Sequence, residues 1–353
     1  MKIGIVGCGQ MGGYYANNLV NKCGFPAADI VCYDIQPERS ATLAQKYGIT
    51  ARDFFHEKLD AAIVATNTPS HEEVVINLAK FGVKHILCEK PLAQTSKSLE
   101  NILRNKGQAH IYTALVINFS PMLLAFQDHR KIGGLELLDF YSRWGKNRGL
   151  ISEKRPTVGD LEDEAVHVIG FMLALAPTCQ SLSVNAQLGW KRYVDQEAQA
   201  AARKRDLSFP EQPNHSTSAN FELFCRHDNI VLAHVHSSFL LPKETRTIGG
   251  VFGRDNEPEF AFECYFDQKR PDKTGGSVDS MIMVNIKTGE SKEEEFSCDK
   301  LYEITNAFLT SARGGPRDSR LTSLNEAGAL IKIAEAILES DSNRQKTIQV
   351  SLR

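Results

Sequence analysis

The chain has 353 residues, of which 42% are hydrophobic and 24% charged, and its formal net charge is −2. These proportions are those of an ordinary globular protein and exclude disordered and fibrous classes. Because the basic residues are scattered, the sequence offers no stripe that would bind nucleic acid. No apolar run approaches the roughly 18 residues that span a bilayer, and because the first strand is predicted to begin at Lys2, we expect no leader segment. We therefore expect a cytoplasmic protein with no membrane or nucleic-acid partner.

The eight cysteines are dispersed and contain no C-x-x-C pair. Dispersed cysteines suit a reducing compartment, so we expect free and mostly buried thiols rather than a disulfide framework. None lies at ligand spacing from a histidine, so no metal site is predicted. The positions are Cys8, Cys23, Cys32, Cys88, Cys179, Cys225, Cys264 and Cys298.

Over the first 120 residues short apolar runs alternate with helical patterns. Such alternation predicts a parallel sheet with helices on both faces and right-handed crossovers, the doubly wound α/β fold. The length of the chain predicts two domains, and we place the first at residues 1–120. The predicted strands are Lys2–Val6, Ile30–Tyr33, Asp60–Ala65, His85–Cys88 and Ile111–Val116.

From residue 121 to residue 353 the pattern changes to alternating apolar runs with hairpin-length links, typical of a mostly antiparallel sheet. We expect helices at Asp160–Leu175, Asp299–Thr310 and Leu324–Leu338 to cover one face of this sheet, giving an α+β domain. The uncovered face then predicts a homodimer or homotetramer through the C-terminal sheet. The strands are predicted at Leu135–Ser142, Ser218–Cys225, Ile230–Phe239, Thr247–Phe252, Glu259–Tyr265 and Met281–Ile286.

A glycine-rich turn follows the first strand and opens a helix. Its sequence is Gly7-Cys8-Gly9-Gln10-Met11-Gly12, and an acidic residue at a strand end, Asp34, follows 22 residues after the last glycine. This context predicts a dinucleotide whose pyrophosphate lies at the helix N-terminus, although a merely tight turn is the alternative. Asp34 would bind the adenosine ribose and repel a 2′-phosphate, favouring NAD over NADP; a solvated loop residue is its alternative. Arg39 could serve a phosphate if Asp34 turned away.

Two further segments follow predicted parallel strands, where ligands of such sheets bind. The first is Thr66-Asn67-Thr68-Pro69-Ser70-His71, which could also be a helix N-cap with Ser70 as the capping residue. The second is Glu89-Lys90-Pro91, where two charges end an apolar strand. We assign Gly7, Gly9, Gln10, Met11, Gly12, Asp34, Thr66, Asn67, Pro69, His71, Glu89, Lys90 and Asn118 to the cofactor site.

These motifs together resemble the glucose-fructose oxidoreductase/inositol dehydrogenase (Gfo/Idh/MocA) family of NAD(P)-dependent enzymes. The glycine turn, the Glu89-Lys90-Pro91 segment and Asp163-Glu164-Ala165-Val166-His167 carry the resemblance. It implies a Rossmann domain followed by an open-faced sheet domain, with Lys90, Asp163 and His167 as the catalytic group. Two departures concern substrate contacts, because Gly170 stands where the family often has aspartate, and Asn118-Phe119-Ser120-Pro121 lacks the family's basic residue.

Asp163 and His167 are four residues apart on a predicted helix and so share one face. Histidine can take the hydroxyl proton of an alcohol, Asp163 can support it, and Lys90 can stabilise charge on the substrate oxygen. The alternative is a core histidine with Asp163 as its partner. His234 and His236 share a strand face but lack further ligands, so we predict a sheet role and no metal.

We therefore expect hydride transfer to or from a small polyhydroxylated substrate, a sugar, cyclitol or sugar derivative. An NAD-retaining hydrolase or eliminase and a non-catalytic NAD-binding sensor are the alternatives within the resembled family. Basic residues before the catalytic helix could bind a phosphate or carboxylate of the substrate or lie in a solvated loop. They are Arg143, Lys146, Arg148, Lys154 and Arg155.

Overall fold

The computed structural model describes residues 1–52, 58–147, 160–189, 218–226, 230–238, 240–269 and 277–352. The chain divides into two compact units. The first comprises Met1–Phe119 and Asp299–Ile331, and the second comprises Ser120–Cys298 and Lys332–Arg353. Within the described part, no helix is long and apolar enough to cross a membrane. Three of the five basic residues before the catalytic helix, Arg148, Lys154 and Arg155, lie outside the described residues.

The helices of the described residues are α1 (Gln10–Asn17), α2 (Pro37–Tyr47), α3 (His71–Lys80), α4 (Ser96–Asn105), α5 (Pro121–Gly133), α6 (Val166–Leu175), α7 (Lys300–Ala312) and α8 (Leu324–Ser342). The strands are β1 (Ile3–Val6), β2 (Ile30–Tyr33), β3 (Thr50–Ala51), β4 (Ala61–Val64), β5 (His85–Glu89), β6 (His110–Ala114), β7 (Glu136–Asn147), β8 (Ser181–Gly189), β9 (Ser218–Arg226), β10 (Ile230–Ser238), β11 (Leu240–Arg254), β12 (Glu257–Lys269), β13 (Ser277–Asn285), β14 (Ser291–Ser297) and β15 (Ile348–Ser351).

The first unit contains a six-stranded sheet in the order β3-β2-β1-β4-β5-β6. All its strand pairs are parallel, with Val6 opposite Tyr33 on one side and Val64 on the other. This order confirms the predicted doubly wound Rossmann sheet. The carboxyl ends of β1, β2, β4, β5 and β6 therefore lie along one edge, which is where such sheets bind ligands.

Both faces of this sheet are buried, as its nearly continuous apolar strands require. Ile3 and Ile5 point to one face and pack with Tyr15 of α1, and that cluster also contains Ile304 and Phe308 of α7. The opposite face packs against α3 and α4 and against the first turns of α8.

The position of α7 differs from the sequence-based expectation. We expected Asp299–Thr310 to cover the second domain's sheet, but this helix packs in the first unit together with the rest of Asp299–Ile331. The first unit is therefore discontinuous in sequence. The apolar face of a helix does not indicate which sheet it will pack against, so the local sequence could not distinguish the sheet of the first unit from that of the second.

The second unit contains a nine-stranded sheet in the order β14-β13-β12-β11-β7-β10-β9-β8-β15. Only β7 and β10 pair in parallel, so the sheet is mostly antiparallel as predicted. Burial alternates along β12, where Phe262 and Cys264 are buried and Glu263 and Tyr265 are only half-buried. One face therefore supplies a core, and the other carries polar and aromatic side chains.

Five of the named elements were not predicted, namely β3, α5, β8, β14 and β15. The strand β8 could have been predicted from the period-two pattern of its apolar residues, which are Leu182, Val184, Ala186 and Leu188. The strand β14 consists largely of charged residues and forms an exposed edge, which is where charged side chains discourage further pairing.

The expectation that all cysteines are free is wrong for two of them. Cys179 and Cys225 form a disulfide that joins the start of β8 to the neighbouring strand β9, with Cα atoms 5.8 Å apart. The two residues are 46 positions apart, so only the pairing of β8 with β9 brings them together. The other six cysteines are free thiols.

Candidate functional site

The glycine turn between β1 and α1 is built from two sterically required glycines and one open position. Gly7 has φ +93°, and a Cβ there would lie 2.6 Å from the carbonyl carbon and oxygen of Ala65. A Cβ on Gly12 would lie 2.0 Å from the carbonyl oxygen of Gly7, whereas one on Gly9 would meet nothing within 4 Å. The turn thus packs tightly on the sheet side and leaves its outer side free for close approach of a ligand.

Asp34 closes the turn from the end of β2. The amide of Cys8 donates to its Oδ2 at 2.7 Å, and the amide of Gln36 donates to its Oδ1 at 2.9 Å. Asp34 is 8% exposed, so it is not the solvated loop residue of the alternative interpretation. The next residue, Ile35, is 86% exposed, which is unusual for a large apolar side chain. A fixed carboxylate and an uncovered apolar side chain therefore stand side by side at this strand end.

His71, in the segment that follows β4, was predicted to bind the cofactor but lies buried in the structure. His71 is 1% exposed, and its ring lies between the backbone oxygens of Pro91 (2.8 Å from Nδ1) and Thr66 (3.2 Å from Nε2). Burial lowers the pKa of His71, so the ring is neutral and donates to only one of these oxygens. His71 connects the segments that follow β4 and β5, and it is too deeply buried to be a direct ligand of the cofactor.

Asn67 and Ser70 also contact each other in this segment. The Ser70 hydroxyl donates to Oδ1 of Asn67 at 2.6 Å and makes no capping bond to the helix that follows. The N-cap interpretation is therefore not supported by a side-chain bond. Pro69 is exposed, and the hydroxyl oxygen of Thr66 is buried without a hydrogen-bond partner among the described residues.

The end of β5 carries Glu89 and Lys90. The hydroxyl of Tyr15 on α1 donates to Oε1 of Glu89 at 2.6 Å. Tyr15 is fully buried, and burial together with the Glu89 charge raises its pKa well above the usual value. Lys90 is half-buried and precedes Pro91 through a cis peptide bond. Tyr15 thus fixes Glu89 beside Lys90, a contact that sequence reasoning missed because the residues are 74 positions apart.

Asn118 follows β6 and is held by the segment before α8. Its Nδ2 donates to the Thr322 hydroxyl at 3.2 Å, and Thr113 on β6 forms a backbone bridge with the same residue. The side-chain oxygens of Asn118 and Thr113 are buried without partners in the part of the chain that the structure describes. Buried oxygens of this kind normally accept a bond from a ligand or a water. Together with the open side of Gly9, they fit a polar dinucleotide along this edge.

In the second unit, the predicted catalytic pair lies at the start of a buried helix. Asp163 belongs to a π-helical segment, Leu161–Ala165, and His167 to the α-helix that continues from it. Both side chains are half-buried, whereas most of α6 beyond them is buried. Single π-helical turns within α-helices are frequent at functional sites.

Trp144 on β7 lies beside His167, with ring centroids 6.3 Å apart. Its indole N–H donates to Oε2 of Glu164 at 3.0 Å, and Glu164 is only 2% exposed. Arg246 on β11 also lies over the indole ring, with its guanidinium carbon 5.6 Å from the ring centroid. No local sequence pattern indicates these contacts, because three separate elements supply them.

His234 and His236 occupy the less buried face of β10. The Nδ1 of His234 lies 3.3 Å from Glu222, and the Nδ1 of His236 lies 2.6 Å from the amide oxygen of Asn220, both on the neighbouring strand β9. These are cross-strand contacts, in agreement with a sheet role. Within the described ranges, no group of three metal-ligating side chains comes together.

Comparisons with known proteins agree with this architecture. The model of the Gfo/Idh/MocA family, described as an oxidoreductase family with an NAD-binding Rossmann fold, matches residues 1–111. Inositol 2-dehydrogenase of Rubrobacter xylanophilus is 25% identical over 154 residues, which cover 41% of this chain and 44% of that enzyme. Myo-inositol dehydrogenase Hyg17 of Streptomyces leeuwenhoekii is 36% identical over 98 residues, covering 26% and 29%. The match thus spans less than half the length of these relatives.

The fold is shared over a longer range. Levoglucosan dehydrogenase in complex with NADH and L-sorbose superposes with a TM-score of 0.75 at 18% identity, covering 100% of this chain and 99% of that one. Aldose-aldose oxidoreductase from Caulobacter crescentus, complexed with glycerol, also gives 0.75, at 16% identity and 99% coverage of both chains. The first 111 residues therefore match the Gfo/Idh/MocA oxidoreductase family, described by its NAD-binding Rossmann fold, and the chain as a whole shares the fold of these solved structures.

Proposed function

We propose that the protein is an NAD-dependent dehydrogenase that transfers hydride between the nicotinamide and a secondary alcohol or ketone of a sugar, cyclitol or sugar derivative. The observation that carries the proposal is the carboxyl edge of the Rossmann sheet. There the glycine turn, closed by Asp34, shares one edge with Glu89 and Lys90. The inositol and levoglucosan dehydrogenases named above support the substrate class.

We propose NAD as the cofactor, with NADP as the alternative. The Asp34 carboxylate accepts two backbone N–H bonds and keeps lone pairs for ribose hydroxyls, and its charge opposes a 2′-phosphate. The uncovered Ile35 offers an apolar surface to the adenine ring. The open side of Gly9 and the N-terminus of α1 would hold the pyrophosphate.

The remaining chemistry is assigned to three side chains. In the oxidative direction His167 takes the proton of the substrate hydroxyl, and Asp163 supports the imidazolium that forms. The Lys90 ammonium donates to the same substrate oxygen and stabilises the negative charge that develops on it. When bound, the nicotinamide supplies the hydride acceptor. Glu89, fixed by Tyr15, holds the strand end that carries Lys90.

A screen of sugars, cyclitols and nucleotide sugars, followed by absorbance of the reduced cofactor with NAD and NADP in parallel, tests the proposal. Lys90→Met and His167→Asn should each lower kcat by about 10²–10⁴-fold while NADH affinity stays nearly unchanged. Lys84→Met and His234→Asn are matched controls, since Lys84 lies exposed just before the same strand β5 and His234 lies on the second sheet. Normal turnover by either test variant would refute the assignment.

The same screen separates the alternative functions. A dehydrogenase forms one NADH for each substrate oxidised. Product formation without net NADH would instead indicate an enzyme that retains NAD for transient oxidation. Tight NADH binding without turnover of any compound would indicate a sensor.

We also propose that the protein assembles as a homodimer or homotetramer through the outer face of the second sheet. Tyr141 is 42% exposed on this face, and its ring lies against Gly249, where a Cβ would come within 2.2 Å of it. Tyr265 donates to Glu263 on the same face, and that contact raises the pKa of Tyr265 to about 12. Light scattering of the native protein and of Tyr141→Lys tests this, and a monomeric native protein would refute it.

The cytoplasm is our proposed compartment, because six of the eight cysteines are free thiols. The Cys179–Cys225 disulfide is the observation that opposes it, since reducing compartments rarely keep disulfides. Fractionation of the native host with a thiol count of the recovered protein decides between them.

A further inference from the structure

We propose that Trp144 is a positioning residue for His167, held in place by Glu164 and Arg246. The inference rests on the proposed function, in which His167 is the general base. It concerns side chains of the second unit only. None of the three residues was assigned a role from the sequence.

The first step of the argument is the position of the indole. Trp144 is 3% exposed, and its ring lies 6.3 Å from the His167 ring with a tilt of 34°. The ring of Phe266 packs edge-on against the indole at 5.2 Å. A side chain enclosed in this way has little rotational freedom, so it limits the orientations open to the neighbouring imidazole.

The second step is the hydrogen bond to Glu164. A buried indole N–H needs an acceptor, and a carboxylate buried to 2% exposure needs donors, so each meets a requirement of the other. Glu164 lies three residues before His167 on the same helical stretch. The bond therefore ties the indole to the helix that carries the base.

The third step is the contact that Arg246, on the neighbouring strand β11, makes with the indole. Arg246 stacks on the indole and forms ion pairs with Asp267 and Glu244. Although burial opposes its charge, these carboxylates and Glu164 raise its pKa, so it stays protonated. A guanidinium that is held by two carboxylates has little freedom to move, so its cation–π contact helps to keep the aromatic ring in place.

The charged surroundings of His167 must be included in any test that follows its titration. The charged groups of this cluster are Asp160, Asp163 and Glu164 on its own helical stretch, and Arg246 on β11 with its partners Glu244 and Asp267. Removal of the Glu164 charge withdraws a nearby anion that stabilises the imidazolium, so the apparent pKa of His167 should fall. Loss of the indole alone should change the orientation of the ring and thereby its reactivity.

The test compares four variants in the full-length protein. Trp144→Phe keeps a ring but removes the N–H, and Glu164→Leu removes the acceptor. Glu164→Gln keeps an oxygen acceptor without the charge. Phe126→Leu perturbs the same unit through a core residue that packs on Phe171, Phe252 and Phe262 and is separated from Trp144 by two intervening rings, Phe171 and Phe266.

We expect Trp144→Phe and Glu164→Leu to lower kcat about 10–100-fold, with NADH affinity within about twofold of native, as for other residues that orient a catalytic group. Glu164→Gln should keep most of kcat and lower the apparent pKa of the base in the kcat/KM profile. Phe126→Leu should lower the melting temperature without moving that profile. Native kcat and pH profile in both Trp144→Phe and Glu164→Leu would overturn the inference.

A second measurement does not depend on turnover. The NMR titration of the His167 ring proton, identified by its loss in His167→Asn, reports the environment of the ring directly. If no substrate is found but Trp144→Phe and Glu164→Gln shift this titration, the proposed dehydrogenase function fails while the positioning role stands. An unchanged titration in both variants refutes the positioning role whether or not the protein is a dehydrogenase. Should Trp144→Phe fail to fold, the comparison of Glu164→Gln with Glu164→Leu decides the question.

Discussion

Replacing Gly12 by alanine should disable the dinucleotide turn, whereas the same change at the adjacent Gly13 should not. A Cβ at position 12 would lie 2.0 Å from the carbonyl oxygen of Gly7, about 1.5 Å closer than ordinary van der Waals contact. A Cβ at position 13 would lie 3.9 Å from its nearest neighbour, a Leu43 methyl group. Both positions are in α1, so the pair isolates the steric effect from helix propensity.

The cost at position 12 follows from what must move. Gly7 has φ +93° and is itself confined by Ala65, so the turn cannot retreat toward the sheet. Displacing it outward stretches the bond from the Gly7 amide to the Tyr33 carbonyl, 2.8 Å, and the bond from Cys8 to Asp34, 2.7 Å. Overpacking costs about 1–3 kcal/mol. Loss of a bond to a charged acceptor costs about 1.5–3 kcal/mol. The expected total is therefore about 2.5–6 kcal/mol.

Differential scanning fluorimetry and NADH fluorescence titration measure the two effects. Gly12→Ala should melt roughly 5–24 °C lower, at about 2–4 °C for each kcal/mol, and should bind NADH at least about tenfold more weakly. Gly13→Ala should be neutral or stabilising by up to about 1 kcal/mol, because alanine is the better helix former. Equal stability and NADH affinity in the two variants would refute the steric argument.

Three other predictions concern charge, sulfur and pH. Asp34→Asn should weaken NADH binding and raise the ratio of NADPH to NADH affinity, while Asp60→Asn, at the amino end of β4, should change neither; an unchanged ratio in Asp34→Asn contradicts the assigned role. Under denaturing, non-reducing conditions a thiol titration should find six free cysteines, and a count of eight would disprove the disulfide. Reduction of the Cys179–Cys225 bond should lower the free energy of unfolding by about 4 kcal/mol, from the loop-entropy relation for a separation of 46 residues. Because burial lowers the pKa of His71 in the folded state, the unfolded state binds more protons below about pH 6.5, and the free energy of unfolding should fall as the pH drops through that value. His71→Gln should reduce this loss of stability. Identical stability curves against pH for the native protein and the variant would contradict the prediction.

The strand-turn-helix motif at the start of the chain was predictable because its determinants are local. Backbone geometry within one turn requires Gly7 and Gly12, Gly9 leaves the outer side of the turn open, and Asp34 follows just after the next strand. The same locality made the parallel sheet predictable, since each strand is followed directly by the helix that covers it.

Other parts of the site were beyond prediction because their partners are distant in sequence. His71 was assigned to the cofactor site from its place after β4, but its ring lies buried between two backbone oxygens. No sequence pattern indicates a partner for Tyr15, yet its hydroxyl donates to Glu89, 74 positions away. In both cases the residue type indicates a hydrogen bond, but the sequence does not show which distant group is the partner.

The sequence by itself determined the class of the fold, the dinucleotide turn and the residues that mark each strand end, because short-range sterics and hydrophobic periodicity specify them. Tertiary structure alone decided that α7 packs in the Rossmann unit, that Cys179 meets Cys225, and that Trp144 and Glu164 meet beside His167. Packing joins faces that are complementary in shape and polarity, and this complementarity depends on the whole fold rather than on the neighbouring residues.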